Sequence, residues 1–136
     1  MAPRWLVKTE PSTYSFQRLE RERRTVWDGV RNALALKHLR QICAGDRVAV
    51  YHTGDEKAVV GVASAVSDPY PDPKQKDPHL LVIDLAAETA LPRPVTLAEL
   101  KAQPSLRDFP LVRLPRLSVM PVTKEQWAVI ERLAKQ

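Results

Sequence analysis

Apolar and polar positions alternate along this chain with two different periods. Residues 4–8, Arg4-Trp5-Leu6-Val7-Lys8, form an apolar run that must stop before Pro11, whose missing N–H cannot join a ladder. They predict a first strand. Ser15 caps a predicted helix over residues 16–22, with Phe16 and Leu19 facing inward at i, i+3. Asn32 caps a second predicted helix running to Cys43. Ala35, His38, Leu39 and Ile42 share one face of it, and Gly45 supplies a left-handed stop. From Arg47 to His52 the period changes to two, with Val48, Val50 and His52 on one face and Ala49 and Tyr51 on the other. Thr53-Gly54-Asp55-Glu56 turns this strand into a second one over residues 58–66, which makes a hairpin. Gly61, in the middle of that strand, marks a bulge or the close approach of another group.

Residues 68–78 are rich in proline and predict a stiff surface excursion. A long strand follows over residues 80–91. Thr96-Leu97-Ala98-Glu99 is a capping-box pattern that opens a short helix ending before Pro104. Residues 117–120 predict a last strand. Thr123-Lys124-Glu125-Gln126 opens a C-terminal helix with Trp127, Ile130 and Leu133 inward. Strands and long helices do not alternate regularly, so a doubly wound sheet is not expected. The pattern predicts an α+β domain over residues 1–136. A small mixed or antiparallel sheet curled into a barrel, with helices over its openings, fits that order of elements.

Composition adds little to the fold but narrows the function. The chain is 136 residues long, 44% hydrophobic and 27% charged, as in an ordinary globular protein. Twenty-one Lys and Arg against sixteen Asp and Glu give a net charge of +5. That excess fits a polyanionic partner and equally a merely basic surface. The single Cys43 excludes an internal disulfide and a multi-cysteine zinc site, and reads as a buried, inert thiol. The first residues lack the apolar segment of a signal peptide, and no apolar run reaches membrane-spanning length. A cytoplasmic location is the expectation.

Motifs for common chemistries are missing. The four glycines are isolated, so there is no phosphate-binding loop, and no nucleophile-elbow pattern occurs. His38, His52 and His79 lack the spacing of a metal site, so neither a metal nor another cofactor is expected. His38 reads as a core histidine, and His79, after a proline in a loop, as solvated. The segment 20–24 mixes both signs and reads as solvated surface. What stands out is Trp27-Asp28-Gly29-Val30-Arg31-Asn32. A Trp followed by Asp-Gly points to a turn, and Arg and Asn are side chains that read phosphates and base edges. An aromatic beside such groups on a basic chain makes a pocket for a planar, hydrogen-bonding ligand, of which a nucleobase is the obvious case.

Five blocks, in order, carry a resemblance to a known family. They are Trp5-Leu6-Val7-Lys8-Thr9-Glu10-Pro11, Trp27-Asp28-Gly29-Val30-Arg31-Asn32, Tyr51-His52, Asp68-Pro69-Tyr70-Pro71-Asp72 and Leu117-Ser118-Val119-Met120-Pro121. Together the set resembles the EVE domain family of the PUA-like superfamily. The resemblance implies a PUA-like pseudo-barrel and a non-enzymatic reader of modified nucleobases, with 5-methylcytosine in DNA ahead of modified RNA as the partner. The chain departs from the family at Ala33-Leu34-Ala35-Leu36-Lys37, where relatives carry more polar residues.

Candidate pocket residues follow from the blocks, each with a structural alternative. Trp27 is a pocket wall or a core residue, and the resemblance implies the wall. Trp5 lines the same pocket or fills the core. Lys8 and Arg31 meet a phosphate or a base carbonyl, or pair with Glu10 or Asp28. Asn32 meets a base edge or only caps its helix. Gly29 and Val30 let a ligand approach the main chain. Tyr51 and His52 point to opposite faces of a regular strand, so at most one of them lines a given pocket. Ser118 offers a hydroxyl to a base or faces solvent. Two other classes remain open. One is an enzyme with His52, Glu10 and Asp28 as acid–base groups. The other is a protein-interaction domain whose pocket is vestigial.

Overall fold

The fold is taken from a computed structural model that describes residues 3–136. Its strands are β1 (Arg4–Thr9), β2 (Arg24–Trp27), β3 (Arg47–His52), β4 (Ala58–Ala65), β5 (Tyr70–Pro71), β6 (Leu81–Thr96) and β7 (Val119–Val122). Its helices are α1 (Phe16–Glu22), α2 (Ala33–Leu39), α3 (Leu97–Lys101), α4 (Pro110–Arg113) and α5 (Lys124–Ala134). The sheet runs β2-β6-β4-β3-β1-β7, with β5 added to β6 beside that path. Among the described strands only β1 and β3 pair in parallel; the other pairs are antiparallel. The sheet is therefore mixed and mostly antiparallel, one of the two arrangements the pattern allows. The terminal strands of the order, β2 and β7, do not pair, so the barrel stays open. Helices α1 and α5 pack on β6, and α2 on β7. Five consecutive β3 residues, Val48 to His52, are buried, which requires cover on both faces of the strand.

One junction sets the position of α1. Ser15 caps the helix by accepting the Arg18 N–H at 3.1 Å. The Phe16 N–H, which no helical carbonyl can accept, donates to His52 Nε2 at 3.0 Å. The Phe16 ring lies where a side chain on Gly61 would be: a Cβ built there would overlap the ring. Gly61 also follows a bulge in β4, since the β3–β4 register shifts between Val50 and Tyr51. The bulge and the close approach expected at Gly61 are thus both present.

At its other end α1 stops at Arg23, whose φ of 70° is left-handed and whose N–H closes on Leu19 O. This reversal sends the chain directly into β2. The sequence reading has no strand there, because Arg24-Thr25-Val26 is an edge strand with little apolar content. Trp27 ends β2 rather than lying in a turn; the turn follows at Gly29, with φ 79°.

Other boundaries also move. Helix α2 ends at Leu39, not Cys43. Asp46 accounts for this: its carboxylate accepts the Cys43 N–H and the Trp5 indole N–H, both at 2.9 Å, which draws the chain out of the helical path. Ile42 stays buried, but Cys43 is exposed rather than buried. Gly45 is left-handed, with φ 98°, several residues beyond the helix end. The proline-rich excursion is pinned, because Tyr70-Pro71 pairs with β6 and Tyr70 OH donates to Asp84 Oδ1 at 2.6 Å. The last strand is Val119–Val122, shifted from the predicted 117–120. The segment after α3, for which the pattern predicts no element, forms a 3-10 turn (Pro104–Leu106) and α4, which bury Leu106, Phe109 and Leu111. Both predicted capping boxes are present, at Thr96–Glu99 and Thr123–Gln126. Among the described residues, no helix is long and apolar enough to cross a membrane.

Two stability outcomes follow. Gly61→Ala must displace the Phe16 ring, and we expect a loss of about 1–3 kcal/mol in urea unfolding, the usual range for overpacking. Glu99 is held at about 2, well below ordinary carboxylates, by hydrogen bonds from Arg93 and from the Thr96 backbone. A depressed folded-state value makes this stabilisation complete above the ordinary carboxylate range. It is lost as pH falls from that range toward 2. Urea midpoints measured across that interval should fall less steeply for Glu99→Gln than for the parent.

Candidate functional site

An open cleft of about 570 Å³ lies beside α1 and β2. That is within the size range of small-molecule pockets. Lys8 and Thr9 come from the end of β1, Thr13 and Tyr14 from the approach to α1, and Arg18 and Glu22 from α1 itself. Thr25, Val26 and Trp27 come from β2, Asp28 and Gly29 from the turn after it, and Lys74 from the proline-rich excursion.

Trp27 and Tyr14 form an aromatic corner, with ring centroids 6.2 Å apart and planes at 88°. Trp27 is only 8% exposed, so the ring is held by the core and turns a limited surface to the cleft. A polar cluster flanks the corner. Tyr14 OH donates to Glu22 Oε1 at 2.6 Å, Arg18 Nε donates to Glu22 Oε2 at 3.1 Å, and the Arg18 guanidinium lies 4.9 Å from the Tyr14 ring centre. The Tyr14 and Arg18 hydrogen bonds lower the Glu22 pKa and keep its carboxylate ionised. Burial, and then the Glu22 hydrogen bond, raise the Tyr14 pKa and keep the phenol a donor.

Across the cleft stands Lys8, half-buried, with its pKa lowered by desolvation. Its ammonium donates to Pro115 O at 2.8 Å and lies 5.6 Å from the centre of the Tyr51 ring. Its own backbone N–H is taken by Ser118 O at 3.0 Å.

The ten candidate residues divide into three groups. Lys8, Trp27 and Gly29 line the cleft. Val30 and Arg31 line a small hollow that shares Gly29 with it. The other five stand outside the cleft lining. Trp5 is buried, donating to Asp46 with its ring centre 6.5 Å from that of His38, which is half-buried rather than fully in the core. Tyr51 is buried beneath Lys8, and Ser118 meets Lys8 through its carbonyl. Asn32 caps α2, its side chain accepting the Ala35 N–H at 3.0 Å.

His52 is 1% exposed. Its Nε2 accepts from Phe16, so the proton is on Nδ1, which faces Glu56 Oε1 at 2.8 Å. Both nitrogens are engaged in holding the fold. Of the three acid–base candidates, only Asp28 lines the cleft; Glu10 is engaged with Ser12 and Thr53.

Sequence reasoning missed Tyr14, Arg18 and Glu22. The readable signal was Arg18 and Glu22 at i, i+4 on a helix entered just after an aromatic. The departure from the family pattern at residues 33–37 falls on α2, and none of those residues lines the cleft.

This open mixed sheet flanked by helices is a PUA-like fold. The chain belongs to the EVE domain family, whose model matches residues 3–133. It is similar to human thymocyte nuclear protein 1, with 26% identity over 100% of this chain and 76% of that protein. The structure of Rpa0253 from Rhodopseudomonas palustris superposes with a TM-score of 0.93 at 38% identity, covering 98% of this chain and 94% of that one. Human THYN1, solved in complex with DNA containing 5-methylcytosine, superposes with a TM-score of 0.90 at 26% identity over 99% of both chains.

Because Trp5 holds Asp46 and stays outside the cleft, Trp5→Phe leaves a buried carboxylate short of a partner. We expect it to cost roughly 1–3 kcal/mol in thermal or urea unfolding. The folded variant should bind nucleic acid as the parent does; a selective loss of binding without destabilisation would contradict this placement.

Proposed function

We propose that this protein is a binding module that captures a modified base of DNA, 5-methylcytosine or a close derivative, in the cleft walled by Trp27 and Tyr14. The observation that carries the reading is the cleft itself: an aromatic corner of base size, rimmed by Lys8, Arg18 and Lys74. The likeness to human THYN1, solved with 5-methylcytosine-containing DNA, supports that choice of ligand.

The physics of each part is simple. A base stacked inside a duplex cannot lie against the Trp27–Tyr14 corner, so it must leave the stack, at a cost of a few kcal/mol. Contact with the exposed part of the Trp27 ring and with Tyr14 offsets part of that cost. A methyl group on the base adds apolar contact with the same wall. The two exposed cations at the rim, Arg18 and Lys74, meet phosphates on either side of the extruded nucleotide, and they give affinity without sequence information.

No covalent step is needed. Asp28 stands in the cleft without His52 or Glu10 beside it, which weakens the acid–base reading.

Direct measurement separates base capture from a generic basic surface. Duplexes with and without one 5-methylcytosine are titrated at two salt concentrations, alongside the matched RNA. The expected result is a preference for methylated DNA that persists at the higher salt. Trp27→Ala should raise the Kd for methylated DNA roughly tenfold or more, the loss of one stacked base. Equal affinity for methylated and unmethylated DNA, falling together with salt, would refute base capture, and a preference for the RNA would reassign the nucleic acid.

A further inference from the structure

A reader of 5-methylcytosine faces a specific chemical problem. Thymine carries the same 5-methyl group and is present throughout DNA, so an apolar niche for the methyl cannot tell the two apart. They differ along the Watson–Crick edge, beginning at the ring carbon next to the methyl-bearing one. Cytosine presents an amino donor at N4 and an acceptor at N3, while thymine presents a carbonyl acceptor at O4 and an N–H donor at N3.

The cleft holds a group suited to this difference. Glu22 lines it next to the aromatic corner, and its carboxylate is fixed from two sides, by Tyr14 OH on Oε1 and Arg18 Nε on Oε2. Each oxygen keeps a free lone-pair direction, because an ionised carboxylate accepts up to about four hydrogen bonds. A clamped, acceptor-only group is a partner for an exocyclic amine and a repulsive neighbour for a carbonyl oxygen. Lys8, the donor on the β1 side of the cleft, has hydrogens left after its bond to Pro115 O and suits the O2 carbonyl that both bases share. Asp28 also lines the cleft, but no hydrogen bond fixes its side chain among the described residues.

We infer that Glu22 is the specificity-determining residue of this site: its clamped carboxylate accepts from the exocyclic amine of the captured pyrimidine and so rejects thymine. Tyr14 and Arg18 are then positioning residues that hold the acceptor. This rests on the base-capture reading above and adds the group that chooses among methylated pyrimidines.

The test is a ratio of affinities. One position of a DNA oligonucleotide carries 5-methylcytosine, thymine or an abasic site, opposite the same mismatched partner, at fixed salt. The parent protein should prefer 5-methylcytosine to thymine by at least about tenfold, the discrimination expected of a good base-edge contact. Glu22→Gln keeps the shape but presents an amide able to donate to O4, and the ratio should collapse toward one. Tyr14→Phe should lower it partway. Glu22 is exposed, so its variant folds, and an unchanged melting temperature confirms that.

If Glu22→Gln weakens both ligands and keeps their ratio, or if Asp28→Asn is the variant that collapses it, the inference is overturned while base capture stands. If the parent binds the abasic oligonucleotide as tightly as the methylated one, base capture itself fails and the inference falls with it.

Discussion

The placement of α1 by Phe16 is the constraint on which the cleft depends. One residue makes two different contacts with the sheet: its N–H donates a hydrogen bond to His52 of β3, and its ring packs in the space left by the missing side chain of Gly61 in β4. The first satisfies a helix-end donor that would otherwise be buried without a partner. The second lets helix and strand approach more closely than any larger residue would allow. With α1 fixed this way, Tyr14, Arg18 and Glu22 face β2 and its terminal Trp27 at a set distance. The left-handed Arg23 then returns the chain into β2 without a loop, so most of the lining, from Thr13 to Gly29, comes from one short stretch of chain.

This arrangement explains why residues that seemed to belong to one pocket divide into a surface layer and a supporting layer. His52 orients α1, Tyr51 and Ser118 seat Lys8, and Trp5 and Asp46 pin the start of β3 against β1. These contacts fix where the lining side chains stand while remaining out of reach of a ligand. A polar or aromatic residue in a characteristic block can therefore be essential to the cleft without touching what the cleft holds.

Much of the fold was legible in the sequence because its cues are local. The period-two run from Arg47 to His52, the two capping boxes, and the 3.6-residue spacing of Trp127, Ile130 and Leu133 each name their element. The cues failed where tertiary contacts overrule local preference. Asp46 ends α2 early by drawing in the Cys43 N–H, and Arg24 to Trp27 becomes a strand only because β6 offers it a ladder. Trp27, Gly29 and Lys8 were legible as cleft residues because they sit in unusual polar–aromatic blocks. Tyr14, Arg18 and Glu22 were not: an i, i+4 ion pair on a surface helix looks the same whether or not a cleft lies beside it.

The central claim is that a modified base enters the cleft against Trp27. Three indole N–H groups give three distinct resonances in a nitrogen–proton correlation spectrum, from Trp5, Trp27 and Trp127. Titration with a duplex carrying a single 5-methylcytosine should shift the Trp27 resonance. Trp5, bonded to Asp46, and Trp127, 4% exposed with Arg4 and Arg47 each 5.7 Å from its ring, should stay in place. A Trp27 resonance that stays fixed while surface amides move would contradict the account, leaving a basic surface and an empty cleft.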